Sequence, residues 1–436
     1  MRILSVLSLA IVGFATTVYS RPAGCHGERN EAPVFEGPAT ALKSVPNGES
    51  WLMKDGNDFA YLAKLRGSPF DMGFAYGQLF SAELRDQIKN GEYMYPAIAY
   101  GIMEEFGVPM QLLSVLDQGI LLRIAQLMMD INWIVAAPWI PQRYVDELQG
   151  MAEGAGMDVQ ELKRMNILPE LTQAHCSVVG AWGVATKDNR LLHLRALDWD
   201  AFSPINKYPS VILYEPSEPG SSPFANIGYL GLIGTLTALS KAGVSAGEKV
   251  MIVNDWESYP QNPEITYWGK PWMFVLRDTV QFSKNLAEVQ TSLESAQRTM
   301  KIHGGWASAA DMSFRGMDYA ANYVNLYDDK NYPLYENISH PQLDGVFFLD
   351  KHVQPSDDYC MASILREQHG EITPETMYRD IVGYQRTGDN KWTVMDPVSQ
   401  EIWVAWSQFE AEVNAFERSP IHINLNDYWT ETTFLE

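Results

Sequence analysis

The spacing of apolar residues divides the chain into two kinds of pattern. Before residue 175 apolar side chains recur about every three to four positions, which is typical of helices with one buried face. After residue 175 short apolar runs are separated by Gly, Pro, Asn and Asp, which is typical of strands joined by turns. This second pattern includes one helical stretch. The succession of helices, strands, helices and strands indicates an α+β fold.

The predicted elements follow from these patterns. We predict helices over residues 72–91, 96–140, 141–168 and 272–300. We predict strands at residues 61–65, 177–184, 191–194, 211–214, 232–239 and 250–253, and a hairpin from Trp392 to Trp406 that turns at Asp396 and Pro397.

The predicted helix over residues 96–140 is unusually apolar. Charged residues at Asp117, Arg123 and Asp130 interrupt it, so we do not predict a transmembrane span. One interpretation is a core helix, the more common case. The other is a surface that receives a lipid tail or contacts a membrane. Its apolar residues at helical spacing are Leu112, Leu113, Leu116, Ile120, Ile124 and Met128.

Residues 1–20 have the layout of a secretory signal peptide. Arg2 gives a positive start, residues 3–18 are mostly apolar, and the small Ser20 suits cleavage after that position. The apolar stretch is short for a bilayer span, and no basic run follows it. We therefore expect residues 1–20 to be removed and the protein to be secreted or lysosomal.

Composition and charge narrow the range of partners. The chain has 436 residues, of which 46% are hydrophobic and 20% charged, as in ordinary globular proteins. Its formal net charge of −22 at pH 7 argues against nucleic acid or an anionic membrane surface as a main partner. We expect no cofactor and no metal. The sequon at Asn337 predicts a glycosylated surface loop.

Candidate chemistry centres on one predicted hairpin. The chain has 3 cysteines, and an odd count leaves one thiol outside any internal disulfide. Cys176 opens a predicted strand, and a turn at residues 187–189 leads back along a strand that carries Arg195 and Asp198. Taken singly, Cys176 is more often a buried structural cysteine, and the other two residues form an ordinary ion pair. The combination brings a thiol, a guanidinium and a carboxylate to one sheet end.

Three stretches carry a resemblance to a known family. Residues 65–77 read LRGSPFDMGFAYG, residues 147–156 read ELQGMAEGAG, and the third stretch is the hairpin from Cys176 to Asp198. Together and in this order they resemble the N-terminal-nucleophile (Ntn) hydrolases of the penicillin acyltransferase (peptidase C45) and acid ceramidase type, over most of residues 60–400. The similarity is greatest to a secreted branch related to acid ceramidase. Phospholipase B-like proteins share the His-Cys-Ser element but match less well.

The resemblance implies a fold and a processing event. The fold is an αββα sandwich, in which two antiparallel sheets lie between helical layers. Residues 21–175 would form a helical small-subunit region, and residues 176–436 the catalytic region. The Cys176 thiol would attack the carbonyl of His175, and the chain would thereby cut itself in two.

The same resemblance implies a role for each polar residue of the hairpin. The new α-amine of Cys176 would accept the thiol proton, because its reference pKa is near neutrality. Arg195 would hold the geometry and favour the thiolate, and Asp198 would anchor the new ammonium group. With Cys176 assigned to chemistry, the resemblance to acid ceramidase implies a disulfide between Cys25 and Cys360 that joins the two chains.

The family stabilises its tetrahedral intermediate with asparagine side chains, and this chain departs from that pattern. The first such position falls on Ser240, and the second falls near residues 350–352, where an Asp cannot donate unless protonated. Asn322 is the remaining candidate, and we predict it as the donor. Backbone amides or altered chemistry are the alternatives.

The implied function is hydrolysis of a linear amide bond through a cysteine acyl-enzyme. The substrate would be a small N-acylated, lipid-like molecule such as a ceramide or an N-acyl amine. Two alternatives remain open. The chain could be a secreted binding protein that kept the fold and lost turnover, which the missing asparagine favours, or an enzyme that transfers the acyl group to an amine.

Overall fold

The computed structural model describes residues 21–92, 117–172, 175–201, 203–253, 262–333, 340–409 and 413–429, together with Tyr95, Ala99 and Met103. The predicted signal peptide and the sequon at Asn337 lie outside these residues.

Strands in the described residues form two sheets. They are β1 Thr40–Val45, β2 Gly48–Asp55, β3 Asp58–Gly67, β4 His175–Trp182, β5 Leu191–Asp198, β6 Pro209–Pro216, β7 Phe224–Tyr229, β8 Thr237–Ser240, β9 Val244–Val250, β10 Lys301–Ser308, β11 Ser313–Ala320, β12 Val324–Tyr327, β13 Val346–Leu349, β14 Lys391–Asp396, β15 Glu401–Trp406 and β16 Ile421–Asn424. The larger sheet has the order β1-β2-β3-β6-β7-β8-β9-β10-β11-β12, and the smaller has the order β13-β4-β5-β14-β15-β16. Neighbouring strands are antiparallel except β3 and β6, which are parallel.

The described helices fall into three groups along the chain. The first group precedes β4: α1 Pro69–Leu79, α2 Ser81–Gly91, α3 Gln118–Ala136, α4 Gln142–Ala155 and α5 Val159–Ile167. The second lies between β9 and β10: α6 Trp272–Phe282 and α7 Leu286–Ser295. The third lies between β13 and β14: α8 Cys360–Glu367, a π-helical turn Thr376–Ile381 and α9 Val382–Gln385.

The two sheets pack face to face, and helices cover both outer faces. Strands β4 and β5 contact β9, β10 and β11 across the interface, which buries apolar residues such as Val178 and Phe314. Helices α1 and α6 pack on the outer face of the larger sheet. Helix α8 and the π-helical turn pack on the outer face of the smaller one, where Ile364 and Met377 meet Leu194 and Trp392. The predicted αββα sandwich is therefore confirmed.

Two of the sequence stretches that suggested the family form one helix–helix contact. Gly73 and Gly77 of α1 lie against the backbone of α4, and Gly150 and Gly154 of α4 lie against the backbone of α1. A Cβ atom at any of these four positions would overlap a carbonyl oxygen of the facing helix. Glycine is therefore needed because the two backbones touch, and the repeated glycines of both stretches have a packing reason.

The region before Cys176 is less purely helical than predicted. Residues 40–67 form three strands of the larger sheet, and β3 pairs in parallel with β6, which follows Cys176. A cut before Cys176 would therefore leave two segments that share one sheet.

The helix predicted over residues 72–91 is two helices. The first begins at the N-cap Ser68, whose side chain accepts a hydrogen bond from the backbone N–H of Asp71 while the Asp71 carboxylate bonds back to the Ser68 N–H. Asp71 is thus the N3 residue of a capping box.

The strand predicted at residues 250–253 is displaced. The observed strand β9 ends at Val250. The prediction missed most of it because β9 carries buried polar residues, among them Ser245, Glu248 and Lys249, which interrupt the apolar pattern expected of a buried strand. The other predicted strands overlap observed ones, and the predicted hairpin turns between β14 and β15 as expected.

The apolar helix α3 has two apolar faces. One packs into the protein through Leu121, Ala125, Met129 and Trp133. The other carries exposed residues, namely Ile120, Leu127, Ile131 and Ile134. With the turn that follows, residues 118–139 are long and apolar enough to cross a membrane by length and composition alone, although 33% of that window is buried inside the protein. The core interpretation accounts for the first face, and the lipid-contacting interpretation stays a prediction.

Candidate active site

Strands β4 and β5 form the predicted hairpin. In its register His175 lies opposite Asp198, Cys176 opposite Leu197, and Val178 opposite Arg195. Paired residues of an antiparallel ladder point to the same face. The hairpin therefore places Cys176 and Arg195 on one face, one step apart, as the sequence predicted.

Cys176 is fully buried and contacts Arg195. The Nη2 atom of Arg195 lies 3.4 Å from Sγ of Cys176. Burial raises the pKa of the Cys176 thiol to about 12, and the charge of Arg195 opposes this rise. In the uncut chain the cysteine is therefore a thiol with a cation beside it.

Glu248 also binds the Arg195 guanidinium, and sequence reasoning missed it. Arg195 donates through Nε to the Glu248 carbonyl oxygen at 3.1 Å, and through Nη2 to the Glu248 carboxylate. Both side chains are buried. Glu248 comes from β9 of the larger sheet, so the ion pair crosses from one sheet to the other. A carboxylate within an otherwise buried strand was the signal that could have revealed it.

Asp198 is not the ion-pair partner of Arg195. Its carboxylate accepts hydrogen bonds from Thr387 Oγ1 at 2.6 Å and from the Gly388 N–H at 2.8 Å. Thr387 also bonds Ser177 Oγ at 2.6 Å. Burial raises the pKa of Asp198, and these hydrogen bonds oppose the rise. Because Asp198 lies opposite His175 in register, its carboxylate stands at the predicted cut.

A second buried acid lies beside Asp198. Asp389 accepts a hydrogen bond from the Trp199 N–H at 2.9 Å and donates its own N–H to Asp198 at 3.4 Å. Burial and the neighbouring charge of Asp198 raise the pKa of Asp389 to about 7. Burial therefore favours the neutral form of both neighbouring carboxyl groups.

The loop at residues 350–352 lies against the predicted cut. His175 has an exposed side chain, and its Nδ1 lies 3.2 Å from the Lys351 carbonyl oxygen. The buried Lys249 donates from Nζ to the His352 carbonyl oxygen at 3.2 Å. The sequence argument that placed this loop near the site is thus supported by direct contacts.

The structure does not bring Asn322 to this cluster by any contact among the described residues. Its amide donates to the Asn262 carbonyl oxygen at 3.1 Å and accepts from the Glu264 N–H at 3.0 Å, in an exposed turn after β11. Ser240 accepts from the Val244 N–H at 3.1 Å in the turn between β8 and β9. Both side chains therefore serve local turns.

Another buried amide belongs to the neighbourhood of the site. Asn390 accepts from the Tyr229 hydroxyl and donates to the Asp200 carbonyl oxygen at 2.8 Å. Tyr229 interacts electrostatically with Cys176 and Arg195. Neither residue belongs to a motif that could be recognised from the sequence.

Two cavities flank the cluster. An apolar one, of about 50 Å³, is lined by residues of α5, its following turn, β5 and α6, including Leu168, Thr172, Leu197, Trp272 and also Glu248. A polar one, of about 340 Å³, is lined by Lys351, His352, Arg386 and Asp389 among others. The site thus has an apolar side and a charged side.

One group of side chains has ligand atoms close enough for a metal ion. The ligand atoms of Asp350, His352 and Asp358 lie within 4.8 Å of one another. However, the Asp350 carboxylate already accepts from the His352 N–H, Ser356 Oγ and Gln354 Nε2, at 3.0, 2.6 and 3.0 Å. We assign Asp350 to the structure of its loop.

The predicted disulfide is confirmed. Cys25 and Cys360 are bonded, with Cα atoms 4.5 Å apart. Cys360 begins α8, so the bond ties the N-terminal segment to the layer that covers the smaller sheet. Cys176 is the remaining cysteine of the chain.

Fold and site together define a four-layer αββα protein with a buried cysteine, arginine and glutamate at the sheet interface. The chain belongs to the family of the dcd1 proteins of Dictyostelium discoideum. It is 31% identical to protein dcd1B over 381 residues, which cover 86% of this chain and 73% of that protein. It is 28% identical to protein dcd1A over 437 residues, which cover 95% of this chain and 96% of dcd1A. No family model matches the chain.

Among solved structures, an N-acylethanolamine-hydrolyzing acid amidase ortholog of Caenorhabditis elegans aligns with 57% of this chain and 100% of its own. The identity is 14% and the TM-score is 0.37.

Proposed function

We propose that this protein is a self-processing Ntn hydrolase that cuts itself before Cys176 and then hydrolyses a linear amide. The observation that carries the proposal is the position of Cys176. It is buried beside Arg195 on an inner strand, with Asp198 opposite the preceding residue. A structural cysteine has no need of a buried cation 3.4 Å from its sulfur.

Self-cleavage would proceed in two balanced steps. The Cys176 sulfur attacks the His175 carbonyl carbon and loses its proton. The peptide nitrogen gains a proton and leaves, which yields a thioester and the α-amine of Cys176. Water then hydrolyses the thioester, so residue 175 ends in a carboxylate. Asp198, the register partner of the residue before the new amine, would hold that amine as an ammonium group.

Catalysis by the cut protein would use the same sulfur. The α-amine accepts the thiol proton, and the thiolate attacks the substrate carbonyl. The proton passes to the leaving amine as the amide bond breaks, and water hydrolyses the acyl-thioester. Arg195, which forms an ion pair with Glu248, would keep the Cys176 sulfur in place and favour its ionised form.

The apolar cavity supports a lipid-like acyl group as part of the substrate. Its wall contains Leu197, the register partner of Cys176, and Leu168, Pro169 and Thr172, which lie just before the proposed cut. Cleavage would release the end of that segment, and the cavity could then enlarge. The substrate proposed here is an N-acylated small molecule, such as a ceramide or an N-acyl amine, whose acyl group would occupy the enlarged cavity.

We further propose that the protein acts outside the cytosol, in a secreted or lysosomal compartment. The signal-like residues 1–20 support this proposal. A disulfide between Cys25 and Cys360 supports it as well, because such bonds persist in oxidising compartments.

A binding protein that lacks turnover is the second candidate. The position of Asn322 in an exposed turn favours it, because the Asn322 amide bonds the backbone of Asn262 and Glu264 there. The two candidates differ in a single measurable property, namely whether the amide is cut.

The processing test uses the full chain at acidic and neutral pH. We expect N-terminal sequencing to find a chain that starts at Cys176, and intact mass to show two segments after reduction. Cys176→Ala should stay a single chain. Wild-type protein that remains uncut and still hydrolyses amides would show that the nucleophile is a different residue.

The activity test follows processing with N-acyl amines of increasing chain length. Release of fatty acid supports the hydrolase, and binding without release supports the binding protein. Adding a second amine separates hydrolysis from acyl transfer, because only a transferase would form a new amide.

A further inference from the structure

Lys249, a buried lysine of the larger sheet, lies on the face of β9 that packs against the smaller sheet, which contains Cys176. Side chains along β9 alternate between the two faces of the sheet. Ser245 Oγ lies 2.8 Å from His193 Nδ1, and a Cβ atom on Gly247 would contact the Arg195 side chain. Both positions therefore face β5. Lys249, two residues further along β9, faces it as well.

The partners on β5 advance in the same steps. His193 meets Ser245, and Arg195 meets Gly247, so one further step along both strands brings Lys249 to the level of Leu197. Leu197 is the register partner of Cys176. Lys249 is therefore at the level of the Cys176–Leu197 pair, two residues along β5 from Arg195.

The end of the Lys249 side chain lies where the cut is proposed. Its Nζ donates to the His352 carbonyl oxygen at 3.2 Å, and the preceding carbonyl, that of Lys351, contacts His175 Nδ1 at 3.2 Å. Consecutive carbonyls of one loop therefore hold the ammonium group and the residue before Cys176. Lys249 itself has no solvent exposure.

We propose that Lys249 acts with Arg195 as a second cation facing Cys176 and stabilises negative charge on its sulfur. The inference rests on the proposed function, because it assigns Lys249 to the same site. Lys249 is a positioning residue in this role, since it acts through Cys176. A lone guanidinium that is already paired with Glu248 is a weak source of positive charge, and a nearby ammonium adds to it.

The surroundings are consistent with an ammonium group. Among the described residues, the charged and titratable groups that interact with Lys249 include Cys176, Asp198, Glu248, His303, His340 and Asp350. Burial lowers the pKa of Lys249, and the charges of Cys176 and Asp350 oppose the fall. The acidic neighbours therefore help to keep the lysine protonated.

The test measures the thiol directly and needs no substrate. Cys176 is the only cysteine outside the disulfide, so alkylation by iodoacetamide followed by intact mass reports on this residue alone. All proteins are prepared with a site-specific protease sequence inserted directly before Cys176. Every sample then carries the same α-amine, whether or not the chain can cut itself.

Lys249→Met removes the charge and keeps the length of the side chain. We expect its alkylation rate at neutral pH to fall about tenfold and its pH profile to move upward by about one unit. Lys249→Arg, which retains a cation, should stay within about twofold of wild type. Lys241→Gln, at an exposed position of the β8–β9 turn, controls for the loss of one positive charge.

A Lys249→Met profile that superimposes on wild type would overturn the inference, and so would an Arg variant as slow as the Met variant. Thermal melts show whether each variant is folded. Lys249→Gln, whose amide can still donate to His352, replaces the Met variant if that protein does not fold. A failed amide assay would leave the alkylation result standing, so the two proposals are tested separately.

Discussion

At the scale of single residues, burial decides which acids carry charge. Glu170 has no solvent exposure, and one carboxylate oxygen accepts from the Trp272 N–H at 2.6 Å and from Thr299 Oγ1 at 3.0 Å. Burial raises the pKa of Glu170 to about 8, although these two hydrogen bonds lower it. The carboxyl group is therefore neutral in an acidic compartment and becomes a buried charge as the pH rises.

The raised pKa of Glu170 makes the stability of the fold depend on pH. Because the pKa is higher in the folded chain than in the unfolded one, the folded state binds the proton more tightly, and stability falls between about pH 4.5 and pH 8. Glu170→Gln mimics the neutral carboxyl. We expect the variant to match wild type near pH 4.5 and to be more stable than wild type at pH 8, in urea unfolding of the uncut Cys176→Ala chain. The exposed Glu294→Gln controls for the loss of one acid. A constant difference between variant and wild type across this range would contradict the assignment.

The residues of the site differ in whether the sequence could predict their proximity. Cys176, Arg195 and Asp198 lie on one hairpin, so local spacing predicted their proximity. Glu248 and Lys249 come from the other sheet, and no local pattern relates β9 to β5. Asn322 was chosen by residue type and distance along the chain, and neither fixes where a turn places its side chain.

At the scale of elements, the closest packing lies between α1 and α4. Four glycines allow the helix backbones to touch, and the buried pair Glu147–Arg277 then links α4 to α6. The glycine spacing was recognisable in the sequence as a motif. The contact between the two helices could not be predicted from it, because a glycine motif does not show which element packs against it.

Replacement of one of these glycines should destabilise the fold. A Cβ atom at Gly77 would overlap the carbonyl oxygen of Met151, so the helices must separate. We expect Gly77→Ala to lower the free energy of unfolding by about 1–3 kcal/mol, the usual cost of overpacking. Gly228→Ala is the control, since a Cβ atom there meets no atom within 4 Å. Urea unfolding of the uncut Cys176→Ala chain measures both, and equal stabilities would contradict the contact.

At the scale of the whole molecule, the proposed cut does not follow a boundary between packed units. The parallel pairing of β3 with β6 joins residues 61–67 to residues 210–216 across it. The ion pair of Glu147 with Arg277 crosses it too, with both side chains buried. Separation of the segments would break this pair and expose the apolar surface packed around it, so the packed interface resists separation. The family resemblance implied two regions divided at Cys176, but not that they share a sheet.

Processed protein should therefore behave differently in native and denaturing conditions. On a denaturing gel, wild type should run as one band without reductant and as two bands with it, because the disulfide joins Cys25 to Cys360 across the cut. The double variant Cys25→Ser with Cys360→Ser should give two bands in either case. In native size-exclusion chromatography, however, the double variant should still elute as one complex, because the shared sheet and the buried ion pair remain. Thiols are blocked before denaturation, so that no bond forms during the assay. Elution of the double variant as two separate chains would mean that the disulfide, and not the packed interface, holds the processed segments together.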